Sequence, residues 1–166
     1  MMLPAALHDA LTAPASLTVA LSGGIDSLTL SAAAAIARGA DGVTLCHAVS
    51  PAVPAAATAR VHDFAAARGL TLKLVQSGEF DDPSYRANPV NRCYFCKVNL
   101  YGTLSRMGDV VAAGTNTDDL SDYRPGLIAA EEHNVIHPFV AAGMAKADVR
   151  ALARVLGLGD LSDLPA

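Results

Sequence analysis

The chain has 166 residues, enough for one sizeable core and too few for two ordinary domains. Hydrophobic residues supply 52% and charged residues 17%, which excludes a disordered chain. A net charge of -4 and a pI of about 5.6 argue against a nucleic-acid partner, which usually leaves a basic footprint.

Alanine alone makes up about a fifth of the sequence and favours helices. Tryptophan is absent and aromatics reach only 5%, so the core must be aliphatic. The apolar stretches stop well short of the ~20 residues a membrane helix needs. Residues Met1 to Ala15 carry His8 and Asp9 and no basic leader, so no signal peptide is expected. Three cysteines are an odd count for a disulfide scaffold, and a reducing cytoplasm is the expected compartment. One domain spanning residues 1–166 is expected.

In chain order, Leu3 to Leu11 has helical spacing, and Leu17 to Leu21 is a short apolar run that reads as a buried strand. Asp26 to Arg38 reads as a helix ended by Gly39. Gly42 to Ala48 is a second strand. Val53 to Arg68 is a helix stopped by Gly69, and Leu70 to Val75 is a third strand. Cys96 to Met107 reads as a helix, Val110 to Ala113 as a fourth strand and Val135 to Pro138 as a short fifth. Lys146 to Leu156 is a final helix. Strands alternating with helices imply a three-layer α/β/α fold around a parallel sheet of about five strands. The irregular stretches Ser77 to Arg92 and Gly114 to Gly126 both follow strands. With the turn after Leu21 they should line one crevice at the carboxyl edge of the sheet.

That first turn reads Ser22-Gly23-Gly24-Ile25-Asp26-Ser27. Paired glycines let the backbone turn sharply and approach an anion closely. Successive N–H groups and a helix N-terminus then face the anion. Ser22 and Ser27 add hydroxyls. Asp26 is a poor direct partner for phosphate, but it can hold Mg²⁺, which bridges carboxylate and phosphate oxygens. The turn is neither the G-x-G-x-x-G dinucleotide fingerprint nor a Walker loop ending in G-K-S/T. Five fixed residues match S-G-G-x-D-S, a chance event of roughly one in a million per start position. That motif resembles the pyrophosphate loop of the PP-loop ATP pyrophosphatases, the adenine nucleotide alpha-hydrolase-like superfamily with its Rossmann-type fold. The resemblance implies ATP cleavage between the α and β phosphates, with transfer of AMP to an oxygen nucleophile.

Asn91-Arg92-Cys93-Tyr94-Phe95-Cys96-Lys97 holds a Cys-x-x-Cys pair. Redox chemistry, zinc or an iron–sulfur cluster could each use Cys93 and Cys96. So could none of them, in a plain loop entering a helix. The one other cysteine, Cys46, reads as a small core residue. Arg92 and Lys97 would lower a thiol pKa or hold anionic groups. The later loop, Gly114-Thr115-Asn116-Thr117-Asp118-Asp119, continues to Asp122-Tyr123-Arg124-Pro125-Gly126. Here Gly114 would let the chain pass close to a nucleotide. Thr115 and Asn116 would offer hydrogen bonds, Asp119 would support Mg²⁺, and Arg124 would face phosphates or an anionic substrate. A solvated turn is the plainer reading of the same residues.

Taken in order, R-C-Y-F-C-K, G-T-N-x-D-D-x-x-D-Y-R-P-G, Pro138 and Lys146-x-x-Val149-Arg150 resemble the LarE family. Val49-Ser50-Pro51 after the second strand adds to the likeness. These are ATP-dependent sacrificial sulfur transferases of nickel-pincer cofactor synthesis. The resemblance implies that a carboxylate of a pyridinium mononucleotide is adenylated. A cysteine then displaces AMP and passes its sulfur to the acceptor; other members carry a [4Fe–4S] cluster on three cysteines. It implies nucleotide binding by Ser22 to Ser27, Gly114, Thr115, Asn116 and Asp119. It also implies acceptor binding by Arg92, Lys97 and Arg124, and catalytic work by Asp26, Lys97 and Arg124. The family's Cys-Leu-x-Ser-Arg-like donor segment has no counterpart before Ala166. A donor within these residues would therefore be Cys93, Cys96 or Cys46, with Cys96 the more reactive of the Cys93 and Cys96 pair. The favoured expectation is that neither of that pair donates and the chain activates the acceptor without sulfur transfer. Expected partners are a small anionic carboxylate and a second copy or a separately encoded C-terminal half; membrane and nucleic acid are not expected. The competing readings are tRNA thiolation or amidation, and a non-catalytic nucleotide-binding module.

Overall fold

The computed structural model describes residues 3–49, 55–76, 110–118 and 135–159. Helix α1 (Ala5–Thr12) follows Pro4 and turns Leu7 and Leu11, four residues apart, into the core. Strand β1 (Leu17–Ala20) is buried at every position, as expected where both faces of a parallel sheet are covered. Helix α2 (Ile25–Arg38) begins at Gly24 and ends at Gly39, whose φ of 81° a residue with a side chain would resist. Its residues from Ile25 to Ala34 are all buried, so this helix lies inside the protein and shows no polar face there. The buried hydroxyls stay on the helix: Thr29 Oγ1 donates to the Ile25 carbonyl at 2.7 Å, and Ser31 Oγ to that of Ser27 at 2.8 Å.

Strand β2 (Thr44–Val49) leads to helix α3 (Ala55–Arg68), which Gly69 ends at φ 65°, and then to strand β3 (Thr71–Gln76). Beyond it the described chain holds strand β4 (Val110–Ala112), a one-turn helix α4 (Pro138–Ala141) and helix α5 (Lys146–Val155). Helix α5 buries Val149, Leu152 and Ala153 against α2, and Asp148 in its first turn accepts the Ala145 N–H at 2.9 Å. None of the described helices is long and apolar enough to cross a membrane.

The sheet is parallel in the order β3-β2-β1-β4. In register, Thr18 of β1 lies between Thr44 of β2 and Val111 of β4. The crossovers β1–α2–β2 and β2–α3–β3 step the same way, so the right-handed rule puts α2 and α3 on one face. The next strand in the sheet, β4, pairs with the other edge of β1. The strand order therefore reverses between β1 and β4, the place where such sheets bind ligands.

Among the described residues the sheet has four strands where about five were expected. The Val135 to Pro138 segment forms a single bridge, Ile136 with Ala112. Ile136 N donates to the Val111 carbonyl at 2.9 Å and its own carbonyl accepts from Ala113 N at 3.0 Å. Two residues later Pro138 has no N–H to donate and starts α4 instead. The other expected elements are present within two residues at each end. The expected helix from Cys96 to Met107 lies outside the described residues.

Candidate functional site

Two loops meet where the strand order reverses. The first leaves β1 through Leu21 and enters α2. Gly23 there has φ 95°, a conformation that a side chain disfavours. Gly24, the residue before α2, has no side chain and so caps none of the first-turn amides of the helix. The hydroxyls of Ser22 and Ser27 lie 3.0 Å apart. Ser22 N donates to Ser27 Oγ at 3.1 Å, and Gly24 N donates to Ser22 Oγ at 3.2 Å. The two serines thus tie the turn to itself, with Ser22 exposed at its rim and Ser27 buried.

The second loop follows β4. Gly114 packs against the start of α2: a Cβ there would lie 2.9 Å from the Asp26 carbonyl carbon and 3.0 Å from Ser27 N. This close approach brings Asn116 over Asp26. Asn116 Nδ2 donates to Asp26 Oδ2 at 3.0 Å, and its Oδ1 accepts the Asp118 N–H at 3.0 Å. Because Oδ1 accepts a backbone N–H, the amide can point only its NH₂ at the carboxylate. Asp26 is 4% exposed and sits in the first turn of α2, where the helix dipole favours negative charge. Thr115 is half-buried between Gly114 and Asn116.

Ser22, Gly23, Gly24, Ile25, Asp26, Ser27, Gly114, Thr115 and Asn116 therefore all fall in these two adjoining loops and the first turn of α2. Within the turn, Ile25 is an anchor, fully buried in the core. Arg92, Cys93, Cys96, Lys97, Asp119 and Arg124 lie outside the described residues. Cys46 is 1% exposed in β2. Neighbouring side chains alternate along a strand, so it faces away from His47, which contacts α3.

Four contacts behind the first loop were not among the expected site residues. His47 Nδ1 donates to the Leu21 carbonyl at 2.7 Å, and its Nε2 lies 3.0 Å from Thr58 Oγ1. Arg60 Nη1 donates to the Gly23 carbonyl at 2.8 Å. Ala57 packs against Gly23, where a Cβ would lie 3.1 Å from that of Ala57. A faint signal exists: from Ala55 to Val61 the polar residues are Thr58, which meets His47, and Arg60, which reaches the loop.

Chemically, the pair of loops offers an uncapped helix start, a glycine turn and one buried carboxylate. Among the described residues no three acidic, histidine or cysteine side chains come together to hold a metal. Asp26 alone still suits Mg²⁺, which commonly takes one or two carboxylates and completes its shell with water and substrate phosphate oxygens.

No family model matches the chain. It is 38% identical over 145 residues to an uncharacterized protein of Synechocystis, covering 84% of this chain and 54% of that protein. An uncharacterized protein of Methanocaldococcus jannaschii is 34% identical over 146 residues, again covering 84% and 54%. The pyridinium-3,5-bisthiocarboxylic acid mononucleotide synthase of Lactiplantibacillus plantarum is 32% identical over 149 residues, covering 85% of this chain and 53% of the synthase. The chain spans about half the length of these curated relatives. Among solved structures, the NH3-dependent NAD synthetase of Campylobacter jejuni superposes with a TM-score of 0.65 at 16% identity, over 93% of this chain and 72% of that one. The NMN synthetase of Francisella tularensis gives 0.67 at 15% identity, over 100% and 76%. At that identity the likeness concerns the fold, a three-layer α/β/α Rossmann-like arrangement.

Proposed function

The chain is a LarE-like member of the PP-loop superfamily, and on that premise we propose that it binds ATP in the Ser22–Ser27 loop and adenylates a carboxylate. The observation that carries this reading is the junction of the two loops: an uncapped α2 N-terminus, with the buried Asp26 carboxylate clamped by Asn116 beside it. An uncapped helix start after a glycine turn suits an anion with several oxygens.

The reaction proposed is an in-line displacement at the α-phosphorus. An ionised carboxylate oxygen of the acceptor forms a bond to phosphorus. The bond from that phosphorus to the oxygen bridging to the β-phosphate breaks, and the electron pair leaves with pyrophosphate. No proton has to move. The chain's task is to stabilise charge growing on the leaving group, which preorganised N–H groups do at little reorganisation cost. Mg²⁺ held by Asp26 would supply further neutralisation there.

For the acceptor we propose a small pyridinium-type carboxylate mononucleotide, in line with the product named for the Lactiplantibacillus relative. Arg92, Lys97 and Arg124 are the cations proposed to hold its phosphate and carboxylates. A sulfur step would follow by attack of a cysteine thiolate on the acyl-adenylate with loss of AMP. Elimination would then leave a thiocarboxylate on the acceptor and dehydroalanine in the chain.

Labelled ATP tests the reading. AMP and pyrophosphate are expected with a carboxylate acceptor; ADP and phosphate as main products overturn it. Mass spectrometry of the chain after turnover separates the two extents of reaction. Net loss of H₂S from one cysteine marks sulfur donation, and an unmodified chain that forms acyl-adenylate stops at activation.

A further inference from the structure

Helix α3 stands directly behind the first loop. Arg60 Nη1 donates to the Gly23 carbonyl at 2.8 Å, and Ala57 closes on the Gly23 backbone from the same side. Among the described residues no peptide bond is cis. In a planar trans peptide the C=O and the next N–H point in opposite directions. The Gly23 oxygen and the Gly24 N–H belong to one such plane. With the oxygen drawn toward α3, the N–H faces away from it, where it donates to Ser22 Oγ at 3.2 Å.

A peptide flanked by two glycines meets little steric resistance to rotation. Turned half a revolution, it would present a carbonyl oxygen where it now presents a donor. An oxygen lone pair in that position would repel an anion in the turn. Two contacts select the orientation: Ser22 Oγ holds the N–H from within the loop, and the Arg60 guanidinium grips the oxygen from outside it with the shorter bond.

We propose that Arg60 is a positioning residue that locks the Gly23–Gly24 peptide with its N–H on the Ser22 side, so that the turn is set for anion binding before nucleotide arrives. The anion-binding part of this inference rests on the pyrophosphate-loop reading; the peptide orientation does not. Arg60 acts through the backbone and needs no contact with substrate. Lysine at the same place would still donate to the carbonyl, though from a single ammonium in place of a planar fork.

The test uses Arg60→Ala and Arg60→Lys in the full chain, with two readouts. The first is the Gly24 amide resonance in ¹⁵N-labelled, nucleotide-free protein. It is expected to move in Arg60→Ala and to stay near its wild-type position in Arg60→Lys; an unmoved resonance in Arg60→Ala overturns the proposal. The second is calorimetry with inorganic pyrophosphate and, separately, adenosine. Hydrogen bonds to charged groups are strong enough that Arg60→Ala should weaken pyrophosphate binding about ten- to a hundred-fold. Adenosine affinity should hold, and Arg60→Lys should recover most of the pyrophosphate affinity. Equal losses for both ligands would mark a general structural defect and overturn the assignment. Wild-type protein that binds neither ATP nor pyrophosphate would refute the loop reading, while the amide readout would still decide the role of Arg60.

Discussion

Asn116 holds Asp26 by a 3.0 Å hydrogen bond between two buried side chains that are 90 residues apart in sequence. The bond spans the point where the sheet reverses its strand order, so it joins the loop after β1 to the loop after β4. A carboxylate taken out of water must be compensated by donors, and here one of them is a fixed amide.

Replacing Asn116 by Ala should lower the unfolding free energy by about 1.5–3 kcal/mol, the range for hydrogen bonds to charged groups. Urea denaturation reads this directly. The exchange Asp26→Asn with Asn116→Asp restores an amide–carboxylate bond in reverse. It should recover most of the stability but not ATP turnover, because the negative charge then stands on the other loop. Restored turnover in the exchanged protein would show that the charge is not needed at Asp26.

Gly114→Ala should fail for a different reason. The added methyl would press on backbone atoms, 2.9 Å from the Asp26 carbonyl carbon and 3.0 Å from Ser27 N, and neither can step aside without moving the start of α2. Overpacking of this kind costs about 1–3 kcal/mol. ATP affinity should fall with it. Gly159→Ala is the control: its new methyl would first meet Arg154 Cγ at 3.9 Å, an ordinary contact, so stability should stay within about 0.5 kcal/mol. Equal effects at the two positions would contradict the close-approach argument.

The Ser22 to Ser27 turn was legible because its chemistry is local: two glycines, two serines and an acid between a strand and a helix. Asn116 was legible as a loop residue after a strand, but its bond to Asp26 was not. That pairing depends on β4 joining the edge of β1, which no spacing along the chain reveals. The support from α3 was missed because alanines mask it; Ala57 matters through its position against Gly23, and nothing in its side chain announces that. His47 sits in an apolar run and gave no sign that both ring nitrogens are used. The supposed fifth strand misled because Val135 and Ile136 are apolar and β-branched, while Pro138 withholds the next ladder donor.

His47 should matter mainly through its Nδ1. The Leu21 carbonyl can only accept, so Nδ1 carries the proton and Nε2 accepts from the Thr58 hydroxyl. Nitrogen-15 chemical shifts should report that tautomer. His47→Asn places an NH₂ near Nδ1 and should retain more stability than His47→Phe, which leaves the Leu21 carbonyl without this donor at a cost of about 1–3 kcal/mol. If Asn and Phe are equally damaging, the bond to Leu21 does not carry the role assigned here.

Arg38 closes the opposite end of α2 and supplies a test away from the Ser22–Ser27 turn. Its Nε donates to the Gly42 carbonyl at 2.8 Å. Nη1 reaches the Leu11 and Pro14 carbonyls at 3.1 and 2.7 Å, and Nη2 reaches that of Ala15 at 2.9 Å. One planar fork thus gathers the end of α1, the connection to β1 and the turn before β2. The cation also sits in the last turn of α2, where the helix dipole favours positive charge. Arg38→Lys keeps the charge and loses the fork, so several of these carbonyls lose their donor. A loss of about 1–3 kcal/mol in urea denaturation is expected. Helix α2 has 14 residues, and at 1.5 Å each that separates Arg38 from the Ser22 turn by about 20 Å. Nucleotide affinity should therefore hold under conditions where the variant stays folded. A lysine variant as stable as the wild type would show that charge alone suffices at this position. Loss of ATP binding in the folded variant would show that the two ends of α2 are coupled.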